Sequence, residues 1–241
     1  MIVLSILASI LVTLFTVVCS TVSVFASLID RSGRTYLVIA RLWSKGILLL
    51  FGVRLRVRGA ENIEAGHHYV YVSNHTSFMD IPALLAAINN NIRLTYRSTL
   101  TRTPIWGWAL RMGPFLMIDR SNAAQAQRTL TKAMETIKSG ASIQLFPEGT
   151  RSYDGKMHPF KRGAFSLAYA AHTAIIPVAL IGTHESLPRN QIMPNWGKPM
   201  EVRIGKPIFP REVPPTETRA EEMRLMRESE EAVRKLLANE L

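Results

Sequence analysis

The first 29 residues, Met1 to Ile29, contain no charged side chain and are mostly apolar. A helix needs about 20 such residues to cross the core of a bilayer, so this segment is long enough. Basic residues follow it and none precedes it, and the positive-inside rule then places the rest of the chain in the cytoplasm. A cleaved signal peptide normally begins with basic residues, and a buried core helix is seldom this long. We therefore predict that the segment associates with a membrane.

A second apolar stretch, Tyr36 to Val53, carries Arg41 and Lys45 on one helical face and includes Trp43. A helix with a basic stripe and an aromatic anchor suits the headgroup region of a membrane. Residues 1–53 are thus predicted to form a membrane-associated two-helix segment. Its first helix either crosses the bilayer or pairs with the second as a hairpin in one leaflet.

The formal charge of +11 needs an anionic partner. A disordered nucleic-acid-binding tail would be basic and poor in apolar residues, whereas this chain is 47% apolar, so we expect no nucleic-acid partner. The single cysteine, Cys19, excludes a disulfide scaffold. Residues 30–60 hold seven basic side chains against one acidic side chain, directly after the apolar segment. This position favours anionic membrane lipids as the partner.

From residue 54 onward, short apolar runs alternate with helical patterns. Strands are predicted over 54–58 (an edge strand), 69–73, 92–96, 115–118, 142–146, 175–181 and 200–204. Helices are predicted over 80–88, 105–112, 123–138, 162–171 and 218–239. Residues 54–241 therefore read as one α/β domain, with a largely parallel sheet flanked by helices and ligands beyond the carboxyl ends of the strands.

Two local signals refine this prediction. Pro177 indicates that the strand over 175–181 lies at an edge or starts at the proline, because proline lacks an N–H for the ladder. Thr218 and Glu221 have the spacing of a capping box that opens the C-terminal amphipathic helix.

His75 and Asp80 follow the strand over 69–73. A carboxylate at this spacing can accept the proton of one imidazole nitrogen and leave the other nitrogen basic, which activates a hydroxyl. The alternative is structural: Thr76 or Ser77 caps the next helix, Asp80 complements its dipole, and His75 is a polar loop residue.

Two arginines end other strands. The run Phe146 to Ser152 delivers Arg151 beyond a buried strand, and Arg binds phosphate bidentately. Arg120 ends the strand that follows Gly113. A surface turn explains the first sequence equally well, and a solvated charge explains the second.

Together and in this order, these features resemble the glycerolipid acyltransferase superfamily. The resemblance covers about residues 54–207 and is closest to bacterial lysophosphatidic acid acyltransferases. It rests on the His-x4-Asp motif, the Gly…Arg motif, the Phe-Pro-Glu-Gly-Thr-Arg-Ser motif and the apolar Pro motif. At Arg97 many members carry lysine in an Ala-Lys segment, and this chain keeps the positive charge.

The resemblance implies that His75 is the general base for the sn-2 hydroxyl of an anionic lyso-lipid and that Asp80 orients His75. The alkoxide would attack the thioester of acyl-CoA or acyl carrier protein directly, without a cofactor or a metal site. The enzyme would work at the inner membrane and face the cytoplasm. The substrate-binding residues implied are Asn74 (the turn and the oxyanion), Arg97, Arg120 and Arg151 (the phosphate), Glu148 (a glycerol hydroxyl, or an arginine that it orders), Gly149 and Thr150.

Alternatives remain at this stage. The acceptor could be another lysophospholipid or a lyso-ornithine lipid, which the same His–Asp pair would serve. A membrane-anchored lipid hydrolase predicts a nucleophilic serine in a Gly-x-Ser-x-Gly pentapeptide, which the sequence lacks. A non-catalytic membrane adaptor would not require both complete motifs.

Overall fold

The computed structural model describes residues 2–118, 123–191 and 194–240. Within these ranges seven strands form one sheet, in the order β1-β7-β6-β2-β5-β3-β4. The strands are β1 (Leu55–Arg58), β2 (Val70–Ser73), β3 (Ile92–Arg97), β4 (Leu116–Ile118), β5 (Ser142–Leu145), β6 (Ile175–Ile181) and β7 (Met200–Ile204). All neighbouring pairs are parallel except β6 and β7. The predicted α/β fold and the predicted edge strand β1 are confirmed.

Helices cover both faces of the sheet. They are α1 (Ile2–Ile29), α2 (Arg34–Leu50), α3 (Asp80–Ala87), α4 (Trp106–Met112), α5 (Ala123–Lys138), α6 (Gly163–Ala170), α7 (Thr183–Ser186) and α8 (Thr218–Ala238). Helices α2 and α3 pack with Tyr71 and Ile176 in one core, and α5, α6 and α8 pack with Val72 and Ile175 in the other. Adjacent strand residues enter opposite cores because side chains alternate along a strand.

Proline 177 lies inside the sheet, so the prediction of an edge or a strand start is wrong. Strand β6 runs between β2 and β7, and Pro177 pairs with Val72 in the parallel ladder. On the other side, the antiparallel ladder begins only at Val178, and the carbonyl of Pro177 accepts the N–H of Gly205 at 2.8 Å. The sheet therefore accommodates a residue without an N–H at this point.

The N-terminal helices pack on the sheet domain as well as on each other. Among the described residues, one helix, over Ile6–Ile29, is long and apolar enough to cross a membrane. Of the basic stripe predicted on α2, Lys45 is exposed, whereas the Arg41 guanidinium donates to the Ile88 carbonyl at 3.1 Å, just after α3. The predicted anchor Trp43 donates its indole N–H to Thr16 Oγ1 on α1 at 2.9 Å. Both side chains therefore fasten α2 to its neighbours.

The predicted capping box at the start of α8 is wrong. The structure shows no side-chain cap on this helix. Glu221 instead accepts the backbone N–H of Arg211 at 2.8 Å and pairs with Arg224. Arg224, one turn along α8, and the loop before the helix both bind the Glu221 carboxylate. A four-residue pattern does not reveal such tertiary partners.

Candidate active site

The carboxyl ends of the parallel strands β2, β5 and β6 meet at one edge of the sheet, and the two predicted motifs leave from there. Asn74 extends β2 by one residue through its side chain: its amide donates to the Leu180 carbonyl at 2.9 Å and accepts the Leu180 N–H at 2.8 Å. This pair fixes the start of the His75 loop on β6. Both polar atoms of the side chain bind backbone and so hold the turn, and the amide nitrogen has a second N–H, so the oxyanion role stays a prediction.

His75 and Asp80 form the predicted pair. His75 Nδ1 lies 2.7 Å from Asp80 Oδ2, and the Asp80 side chain is completely buried. The same oxygen accepts the N–H groups of Thr76 and Ser77 at 2.9 and 3.0 Å. Because a carboxylate oxygen only accepts, Nδ1 carries the proton and Nε2 keeps a lone pair. Of the structural alternative, Asp80 does lie in the first turn of α3, but the predicted cap is wrong, because Met79 is the N-cap and no side chain caps the helix.

The Glu148 carboxylate supports the loop that contains His75. It is 3% exposed, and its two oxygens accept the N–H groups of His75 at 2.7 Å and His158 at 3.0 Å. Burial raises the pKa of Glu148 to about 7, although both hydrogen bonds and the charge of Arg234 oppose the rise. Glu148 thus ties the motif after β5 to the backbone of His75, and its contact with a glycerol hydroxyl or an ordered arginine stays a prediction.

The turn after β5 completes the support of the imidazole. The Phe146 ring stacks on the His75 ring, with centroids 3.8 Å apart and planes at 16°. The Phe146 carbonyl accepts the N–H of Gly149, whose φ of 83° lies in the left-handed region that glycine adopts without strain. The Ser152 N–H then donates to the His75 carbonyl at 2.9 Å. One face of the imidazole and the backbone of His75 are therefore fixed by the turn after β5.

A cavity of about 1030 Å³ opens in front of His75. It runs between the sheet and the N-terminal helices, and its wall includes apolar side chains such as Tyr36, Trp43, Leu110 and Phe115. Arg97, Gly149, Thr150 and Arg151, all predicted as substrate-binding residues, also line it. The structure thus places the basic imidazole, guanidinium groups and a long apolar wall around one space.

Two arginines of this cavity, Arg151 and Arg189, lie over aromatic rings. The guanidinium carbon of Arg151 lies 3.6 Å from the centroid of the Phe78 ring. Arg189, which no sequence motif indicated, lines the same cavity, and its guanidinium carbon lies 3.8 Å from the centroid of the Tyr153 ring. The predicted phosphate ligand Arg120 lies outside the described residues. Within the described ranges, no three His, Cys, Asp or Glu side chains are grouped as metal ligands.

The comparisons with known proteins all find similarity to acyltransferases. A family model described as "Acyltransferase" matches residues 54–181. The chain is 35% identical to the chloroplastic 1-acyl-sn-glycerol-3-phosphate acyltransferase BAT2 of Brassica napus, over 77% of this chain and 54% of that protein. It is 34% identical to the 1-acyl-sn-glycerol-3-phosphate acyltransferase of Saccharomyces cerevisiae, over 84% of this chain and 68% of that protein.

A solved structure agrees with these sequence matches. The crystal structure of the 1-acyl-sn-glycerophosphate acyltransferase PlsC from Thermotoga maritima superposes with a TM-score of 0.75 at 26% identity, covering 95% of each chain. The chain spans about half the length of the Brassica protein and of the chloroplastic LPAT1 of Arabidopsis thaliana, of which it covers 48%.

Proposed function

The chain belongs to the acyltransferase family, and on this premise we propose that it transfers a fatty acyl group to the sn-2 hydroxyl of lysophosphatidic acid and forms phosphatidic acid. The observation that carries the proposal is the His75 imidazole: Asp80 holds its Nδ1, no described residue bonds its Nε2, and the residue lines the cavity. The relatives named above are 1-acyl-sn-glycerol-3-phosphate acyltransferases, and this supports the choice of acceptor.

The chemistry proceeds by direct transfer. Nε2 of His75 removes the proton of the acceptor hydroxyl, and the oxygen attacks the carbonyl carbon of the acyl thioester. The C–O ester bond forms, the C–S bond breaks, and the imidazolium returns its proton to the thiolate that leaves. Asp80 stabilises the imidazolium between these two transfers. A thioester is already activated, so a fixed base and a fixed acceptor suffice without an acyl-enzyme.

The cationic end of the cavity binds the acceptor phosphate. Arg151 and Arg97 line the cavity together with His75, and a guanidinium matches the oxygens of a phosphate in a bidentate manner. The resemblance of the Gly…Arg motif adds Arg120 to this set. The apolar wall under α2 accommodates an acyl chain, since burying each methylene group contributes about 0.8 kcal/mol.

We place the enzyme at the inner membrane with its catalytic domain in the cytoplasm. Support comes from the apolar helix over Ile6–Ile29 and from Arg31 and Arg34, which follow it. External protease should spare the domain in intact spheroplasts and digest it in inside-out vesicles. Digestion in intact spheroplasts would reverse the orientation.

Purified protein tests the reaction. Lysophosphatidic acid and palmitoyl-CoA, or palmitoyl acyl carrier protein, should yield phosphatidic acid and one free thiol per turnover. Lysophosphatidylglycerol, lysophosphatidylcholine and lyso-ornithine lipid serve as competing acceptors. Preference for one of these over lysophosphatidic acid would contradict the assigned acceptor. Release of free fatty acid without any acceptor, at a comparable rate, would contradict transfer in favour of hydrolysis.

A further inference from the structure

Arg189 lies in the loop after α7, outside every motif that identifies the family. Its Nη1 donates to the backbone carbonyl of Arg151, and its guanidinium carbon lies 3.8 Å from the centroid of the Tyr153 ring. Both arginines line the cavity that contains His75. A guanidinium has five N–H donors. The Arg151 carbonyl and the Tyr153 ring do not use all of them, so the remaining N–H groups are available to a ligand.

Arg97, Arg151 and Arg189 form no ion pair with any carboxylate that the structure describes, since none lies within 4.0 Å of their guanidinium nitrogens. Burial lowers the pKa of Arg151, and the charges of Arg189 and Arg97 lower it further, while the charge of Asp80 opposes the fall. Arg151 and Arg189 are half-buried, and neighbouring like charges are stabilised when an anion joins them.

We propose that Arg189 is a specificity-determining residue, which forms with Arg151 a two-guanidinium site for a phosphate monoester dianion. This inference rests on the proposed function and assigns the acceptor class. A phosphomonoester carries a charge of about −1.5 to −2 at pH 7 and offers three free oxygens, enough for two guanidinium forks. A phosphodiester carries one charge and offers two free oxygens, so it satisfies only one fork. The second guanidinium therefore favours lysophosphatidic acid over lyso-lipids with a larger headgroup.

The decisive experiment compares Arg189→Gln with the wild-type enzyme on two acceptors. We expect KM for lysophosphatidic acid to rise about tenfold or more, because one charge-assisted hydrogen-bond pair is lost. KM for lysophosphatidylglycerol should change less than threefold, and kcat should stay within about threefold for both acceptors. Arg227→Gln is the matched control, since Arg227 is exposed on α8, on the other side of the sheet.

A second pair of measurements identifies the source of the phosphate. Coenzyme A also carries a phosphomonoester, so each variant is assayed with palmitoyl-CoA and with a phosphate-free palmitoyl-N-acetylcysteamine thioester. A defect in KM for lysophosphatidic acid that is equal with both donors supports the acceptor site. A rise in KM for palmitoyl-CoA alone assigns Arg189 to the donor and overturns the proposal.

Separate controls test whether the variants fold and whether the proposed acyl transfer itself takes place. Arg189→Lys keeps the charge but loses the planar fork and the stack on Tyr153, and it should show an intermediate KM defect. Equal losses on the monoester and the diester acceptor, in variants with wild-type melting temperatures, would overturn the specificity role. Wild-type enzyme that forms no phosphatidic acid would refute the proposed function itself, independently of any Arg189 variant.

Discussion

Glu148→Gln tests whether the buried carboxylate supports the His75 loop as the structure indicates. Burial raises the pKa of Glu148 from an ordinary 4.5 to about 7, so between these values the native state binds more protons than the unfolded chain. The stability that this group contributes is therefore complete below pH 4.5 and is lost as the pH rises through 7. The shift corresponds to about 3 kcal/mol. In a chain of this size, that is roughly 6–12 °C in melting temperature.

The assay is thermal unfolding of the wild type and of Glu148→Gln in one detergent, from pH 4.5 to pH 8. The wild type should lose several degrees relative to the variant over this range, because glutamine does not titrate. The variant should also turn over more slowly at pH 8, since an amide nitrogen cannot accept the N–H of His75 or of His158. If the melting temperatures of the wild type and of Glu148→Gln changed equally with pH, Glu148 would not have a raised pKa in the folded protein.

Three further predictions concern neighbouring side chains. Asp80→Asn should lower kcat by roughly 10²–10⁴-fold, because an amide can neither hold the His75 tautomer nor stabilise the imidazolium. Membrane binding should not change. Steady-state kinetics measure kcat, and vesicle flotation measures membrane binding. Asn74→Ala should cost about 2–4 kcal/mol in unfolding free energy, since it leaves both buried backbone groups of Leu180 unpaired. Arg151→Ala should raise KM for lysophosphatidic acid at least tenfold more than KM for palmitoyl-CoA, and equal losses would count against a phosphate role.

The sequence predicted those elements whose pattern is local and strong. Helix α5 and strands β6 and β7 begin and end at the predicted residues, because an amphipathic repeat or a continuous apolar run marks each one. His75 and Asp80 meet as predicted, since five residues across a strand-to-helix turn leave them within reach of each other.

Tertiary competition explains the features that the sequence did not predict. The sequence indicates that Arg41 is a membrane-facing charge, but in the structure its guanidinium donates to the Ile88 carbonyl just after α3. Arg189 carries no signal, because its importance arises only where a distant loop meets Arg151 and Tyr153. Glu148 lies in a motif typical of substrate contact, yet two backbone N–H groups from separate loops bind both of its oxygens. Patterns within one segment do not specify which partner from another segment a polar group will find.

The central claim is that His75 is the base for acyl transfer to a lysophosphatidic acid hydroxyl. The most direct measurement is phosphatidic acid formation by purified His75→Ala, with His67→Ala as the control because His67 is exposed in the loop before β2. His75→Ala should lose at least 10²-fold in kcat with an unchanged melting temperature, and His67→Ala should keep wild-type turnover. Near-normal turnover by folded His75→Ala would contradict this role of His75.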